Sequence, residues 1–122
     1  MRKILAVDDS TSMRQMVRAT LQSAGYDVVE AADGQDALDF ARANAVDLVI
    51  SDVNMPRMDG ITLVGELRSL PAYRLTPLLL LTTESSQEKK MEGKRAGATG
   101  WIVKPFNPAQ LLTTLDKLFR TA

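Results

Sequence analysis

Four short apolar runs, each broken off by a carboxylate, a hydroxyl or a lysine, constrain the fold of this chain more than any other feature. Ile4-Leu5-Ala6-Val7 ends in Asp8-Asp9, Leu48-Val49-Ile50-Ser51 in Asp52, Leu78-Leu79-Leu80-Leu81 in Thr82, and Trp101-Ile102-Val103 in Lys104-Pro105. The first three are continuous apolar runs, as expected of strands buried on both faces of a helix-covered parallel sheet. A fifth strand, Asp27-Val28-Val29-Glu30, is short and polar at its ends, which suits a sheet edge, as does the interrupted run near Ile102.

Segments with helical period separate these runs. Met13, Met16, Val17, Thr20, Leu21 and Ala24 line one helix face, with Ser12 and Gln15 as its capping box and Gly25 as its left-handed stop. Asp33-Gly34 opens a second helix with Leu38, Ala41 and Ala45 inward. Gly60 opens a third carrying Ile61, Val64 and Leu67, and Pro71 and Pro77 bracket the connection after it. A polar helix covers residues 86–96 and ends at Gly97. It holds Gly93 in its interior and Met91 as nearly its only large apolar residue. An interior glycine costs about 1 kcal/mol relative to Ala, so this helix is expected to be mobile. Asn107-Pro108-Ala109-Gln110 starts the last helix, whose apolar face is Leu111, Leu112, Leu115, Leu118 and Phe119. Alternating strand and helix imply right-handed crossovers. The expected fold is α/β, a doubly wound, flavodoxin-like sheet of five parallel strands in the order 2-1-3-4-5 with five helices.

Composition narrows the chemistry. The 122 residues suffice for one domain, and 15 basic residues balance 15 acidic ones. A net charge of zero argues against nucleic acid as a partner, because binding it needs a basic face. Without Cys or His, thiolate sites, the commonest metal ligand and the commonest general base are all excluded. The amino terminus has too few apolar residues for a signal peptide, and no run approaches the roughly 18 of a membrane span. A cytoplasmic location and no membrane contact are expected.

In such a sheet Asp8, Asp9, Asp52, Thr82 and Lys104 gather at the carboxyl ends of the strands, where open α/β sheets bind ligands. Any one of them alone reads as an ordinary turn, strand or surface residue. Three carboxylates this close repel one another unless a cation is present, and oxygen-only ligands select a hard one, Mg²⁺ where phosphate shares the coordination sphere. Lys104 can offset part of that charge, and Pro105 permits a cis peptide that would turn the lysine toward the carboxylates. Asp52-Val53-Asn54-Met55-Pro56 begins like a calcium loop, but Arg57 stands where an EF-hand needs Gly and Leu63 where it needs an acid. Asn54 stands where a phosphatase of the haloacid dehalogenase type carries its acid. No phosphate-binding Gly-Lys loop is present.

Taken in order and spacing, Asp8-Asp9, Asp52-Val53-Asn54-Met55-Pro56, Asp59-Gly60, Thr82 and Lys104-Pro105-Phe106 resemble the receiver domain of two-component response regulators, over essentially the whole chain. Ending at the fifth helix with no output domain, the chain is similar to stand-alone receivers, above all the chemotaxis response regulators. The resemblance implies that Asp52 accepts a phosphoryl group from a histidine kinase. Asp9, Asp52 and the carbonyl of Asn54 would bind Mg²⁺ directly, with Asp8 acting mainly through water. Thr82 would hydrogen-bond the phosphoryl group and Lys104 would pair with it. Trp101, where the family more often has Tyr or Phe, would be the aromatic switch that moves with Thr82. Thr83 departs from the small Ala common after the threonine. The implied output is a phosphorylation-switched face that binds a flagellar motor switch protein or a phosphatase, the chain acting as a monomer. A phosphate sink or a non-motility pathway are the alternatives within signalling. The rival from another class is a small phosphatase using Asp52. The resemblance makes the chain a signalling module that supports its own phosphorylation and autodephosphorylation rather than an enzyme.

Overall fold

Side chains alternate across each strand, and this alternation divides the core into two layers. The computed structural model describes residues 1–121. Its strands are β1 (Lys3–Val7), β2 (Asp27–Ala31), β3 (Leu48–Ser51), β4 (Leu78–Thr82) and β5 (Gly100–Val103). Its helices are α1 (Thr11–Ser23), α2 (Gly34–Ala43), α3 (Gly60–Arg68), α4 (Gln87–Ala96) and α5 (Pro108–Thr121). All strand pairs are parallel, in the order β2-β1-β3-β4-β5. Ile4, Ala6, Leu48, Ile50, Leu79 and Leu81 point to one face and pack with Val17 and Leu21 of α1 and Leu111, Leu115 and Phe119 of α5. Leu5, Val7, Val49, Leu78 and Leu80 point to the other face, against α2 and α3. Every residue of β3 and β4 is buried, which explains why these strands read as unbroken apolar runs.

Helix starts follow the capping chemistry, with one displacement. Asp33, Asp59 and Ser86 each accept a backbone N–H from the third residue on, and Asn107 Oδ1 accepts Gln110 N at 3.1 Å. For α1 the cap is Ser10 rather than Ser12. Asp8 Oδ1 accepts the Ser10 N–H at 2.9 Å and turns the chain immediately after β1, so the helix begins at Thr11. The buried stripe accordingly centres on Val17 and Leu21. Arg14 shares that stripe, and Met16, expected inside, is 57% exposed. Ala45 likewise lies beyond the end of α2 and is exposed, its expected core place being taken by Val46. Gly97, at φ 112, ends α4 as expected.

Two arginines fasten neighbouring elements to one another. Arg68, at the end of α3, donates to the carbonyls of Tyr73, Thr76 and Gly97 and so fastens the α3–β4 connection to the end of α4. Arg14 donates to the carbonyl of Asp8 at 2.6 Å and to Glu30 at 2.9 Å, joining α1 to the ends of β1 and β2.

Burial pushes the Glu30 carboxyl up, but hydrogen bonds from Arg18 and Arg14 outweigh it and hold the group below its usual range. A carboxylate lowered in the folded state stabilises the fold above its unfolded value, and that contribution is lost as pH falls through the folded one. Glu30→Gln is therefore predicted to lower the urea midpoint near neutral pH. The difference from the parent should close as pH falls below about 4, the ordinary range of such a group.

Candidate functional site

The register of the sheet brings the polar run-ends together. Val7 lies opposite Ser51, so the residues that follow, Asp8 and Asp52, leave β1 and β3 side by side. Thr82 lies opposite Val103, and Lys104 N then donates to the Thr82 carbonyl at 2.8 Å. The turn made by Asp8 and Ser10 brings Asp9 to the same rim despite its adjacency to Asp8. Asp8, Asp9 and Asp52 each offer a carboxylate oxygen within 4.8 Å of the others. Asp8 is buried, Asp52 half-buried and Asp9 exposed, so the cluster opens to solvent at Asp9.

Lys104 reaches into this cluster. The peptide bond to Pro105 is cis. The ammonium lies 2.8 Å from Asp8 Oδ2 and 3.3 Å from Asp52 Oδ2, and its side chain is only 8% exposed. Asp52 Oδ1 accepts the Val53 N–H at 2.7 Å, which fixes the rotation of the carboxylate. Asp9 makes no hydrogen bond or ion pair among the described residues. The donors here are carboxylate oxygens, and such a set fits a hard divalent cation. Asn54 is exposed on the loop just after β3.

A second group of residues links the cluster to α4. Thr82 is fully buried at the end of β4, and its Oγ1 accepts the Glu84 N–H at 3.1 Å. Trp101 lies opposite Leu80, two residues before Thr82 and so on the same face of the sheet. Its indole is half-buried and donates to the Glu84 carbonyl at 3.0 Å. Gly93 lies beneath it: a Cβ there would come within 2.9 Å of Trp101 Cζ3 and 3.1 Å of Leu80 Cδ1. The glycine that reads in the sequence only as a cost to helix stability is the place where the indole packs. Arg14 and Glu84 escape a reading of motifs, because Arg14 reaches the Asp8 carbonyl and Glu84 acts through its own backbone N–H and carbonyl, groups that no sequence spacing marks.

Lys104 and Asp9 should respond oppositely to removal. Lys104→Met leaves buried Asp8 and half-buried Asp52 side by side without a counter-charge, where breaking a fully buried pair costs up to about 3–5 kcal/mol. Asp9→Ala removes a repelling charge that has no partner. In EDTA the first is predicted to lower the melting temperature and the second to raise it. A fall on Asp9→Ala, read by circular dichroism, would mark Asp9 as a structural partner.

Comparison with known proteins identifies the family. Residues 4–116 match the response regulator receiver domain family. The chemotaxis protein CheY-3 of Vibrio cholerae is 41% identical over 118 residues, covering 96% of this chain and 91% of that protein. The structure of V. cholerae chemotaxis protein CheY4 superposes with a TM-score of 0.92 at 58% identity, covering 97% of this chain and 98% of that one. The receiver domain of the sensor histidine kinase PA1611 from Pseudomonas aeruginosa, solved with a magnesium ion coordinated in its active site cleft, superposes at 0.89 with 30% identity over 96% of each chain. Matched along nearly its whole length by both sequence and fold, the chain belongs to the response regulator receiver domain family.

Proposed function

We propose that Asp52 accepts a phosphoryl group from the phosphohistidine of a histidine kinase in a Mg²⁺-dependent reaction, and that the resulting acyl phosphate switches a partner-binding face in chemotaxis signalling. The observation that carries this reading is the meeting of three carboxylates and one buried lysine at the ends of β1, β3 and β5, beside Thr82 at the end of β4.

In the proposed step an Asp52 carboxylate oxygen attacks phosphorus in line with the leaving imidazole. The N–P bond breaks, its electron pair returns to the imidazole, and an O–P bond forms on Asp52. Asp9, Asp52 and the carbonyl of Asn54 would hold Mg²⁺, with Asp8 acting through water; the ion supplies charge neutralisation for the transferring group. Lys104, already between Asp8 and Asp52, needs only a small movement to pair with a phosphoryl oxygen. The Thr82 hydroxyl accepts from Glu84 N and keeps its own proton to donate to the phosphoryl group. Hydrolysis of the acyl phosphate by water would reset the module.

The proposed output follows from the contacts of Thr82. Movement of its hydroxyl toward a phosphoryl group withdraws the acceptor from Glu84 N, whose residue also holds the indole of Trp101. Lys90 and Lys94 of α4 line a groove with Trp101, so a partner segment there would meet basic charge beside an aromatic ring. The resemblance to chemotaxis response regulators implies a flagellar motor switch protein or a phosphatase as that partner, and binding would be selective because the partner prefers one state. The proposed setting is the cytoplasm, with the receiver acting as a monomer. Among the described residues no helix is long and apolar enough to cross a membrane.

Acetyl phosphate with Mg²⁺ is predicted to label a single residue. Borohydride trapping followed by mass spectrometry should mark Asp52, and Asp52→Asn should abolish the mark; labelling that survives the substitution sinks the assignment. The switch has its own readout, since Trp101 is the only tryptophan. Beryllofluoride with Mg²⁺ should shift its emission and reduce acrylamide quenching, and Thr82→Ala should weaken both effects. Quenching that stays constant at saturating beryllofluoride would remove Trp101 from the switch.

A further inference from the structure

The loop that follows Asp52 holds one backbone oddity. Arg57 sits at φ 65, the only non-glycine residue with positive φ among those described. Met58 N donates to the Pro56 carbonyl at 2.7 Å, closing a three-residue turn around it. Such a turn with positive φ at its centre is rare and strained, and a strained residue persists only where its surroundings hold it. The surroundings are on α2. Arg57 Nε and Nη2 donate to the two carboxylate oxygens of Asp33 at 2.9 and 3.1 Å, and Nη2 also donates to Asp36 at 2.5 Å. This planar, two-pronged pairing fixes direction as well as distance.

Asp33 is itself tied to α2. It is buried, and its Oδ1 also accepts the Asp36 N–H at 2.8 Å as the cap of α2. A second contact presses the loop against the same helix end. Gly34 N donates to the Met58 carbonyl at 3.2 Å, and a Cβ on Gly34 would fall 2.4 Å from that oxygen. The loop is thus fastened at Asp52 and Val53 on one side and at residues 57 and 58 on the other. Asn54 lies between these anchorages, and no described hydrogen bond uses its carbonyl.

We propose that Arg57 is a positioning residue for the cation site: its clamp on Asp33 holds the loop in the conformation from which the Asn54 carbonyl would reach the cation. The inference rests on the metal reading given above. A ligand carbonyl on an exposed loop would otherwise have to be ordered whenever the cation binds, and that cost would appear as weaker affinity. Residues that orient a metal ligand from behind typically change affinity by about 10–100-fold when removed.

The test is a titration of the full chain with MgCl₂, followed by the amide shifts of Asp9, Asp52 and Asn54 in two-dimensional NMR. Arg57→Ala is expected to weaken Mg²⁺ binding by about tenfold, the lower end of that range. Arg57→Gly removes the backbone strain along with the clamp, so it should be at least as stable as Arg57→Ala in EDTA and yet bind Mg²⁺ as weakly. Arg57→Lys keeps the charge but loses the fork, and should fall between. Arg120→Ala, which removes a surface arginine paired with Asp116, should leave affinity unchanged. Mg²⁺ affinity within about twofold of the parent in both the Ala and Gly variants overturns the inference and leaves the metal site standing. Recovery of affinity in the Gly variant also overturns it, because the effect would then follow stability. A parent protein whose three amides do not respond to Mg²⁺ removes the metal site and this inference together.

Discussion

The position of Lys104, an ammonium held between two carboxylates at the rim of a buried parallel sheet, is the constraint on which the site depends. Strands buried on both faces can place polar groups only where they end, so Asp8 and Asp52 come together because their strands are neighbours in register. Left alone the two charges would repel. Lys104 arrives from β5, across β4, and lies within 3.3 Å of both. Its attraction offsets the repulsion at short range, and the low exposure of all three side chains reduces screening by solvent. The cluster is therefore held together by the chain's own charges, and the exposed Asp9 is its open side.

Much of this was legible in the sequence, for a definite reason. Apolar run-length marks doubly buried strands, and the first polar residue after each run marks the rim, so Asp8, Asp52, Thr82 and Lys104 were all visible as a set. The start of α5 was equally plain, because Asn107 and Gln110 satisfy the orphan N–H groups of a helix start by local chemistry alone. Legibility failed where a tertiary contact competed with a local signal. Ser12 and Gln15 look like a cap, but the bond from Ser10 N to Asp8 begins the helix earlier. Arg14 reaches the Asp8 carbonyl while Met16 stays outside, an exchange of an apolar for a charged residue that periodicity alone cannot foresee.

The arginines show the same limit from another side. Arg14, Arg57 and Arg68 each bind groups distant in sequence, and Arg14 and Arg68 bind carbonyls, which every residue possesses. Arg57 differs in pairing with Asp33, 24 positions earlier, through a fork that only the folded loop brings into range. A planar guanidinium with several donors suits this work of stitching loops together, because one side chain can satisfy several acceptors at fixed angles.

The link from the site to α4 depends on an omission rather than a contact. Gly93 forgoes about 1 kcal/mol of helix propensity, and in return the Trp101 ring lies across the helix backbone where any Cβ would collide with it. The two ends of α4 are held very differently. Its last carbonyls are tied down through Gly97, whose oxygen Arg68 holds at 2.9 Å while Arg68 also binds the α3–β4 connection. Its first turn has the Ser86 cap, and the segment before it is attached through Glu84, whose N–H meets Thr82 and whose carbonyl meets the indole. Thr82, Glu84 and Trp101 thus connect the rim of the sheet to the lightly held end of a helix anchored at the other. The ring lies between them, packed against the backbone of α4 at Gly93 where a side chain would collide with it.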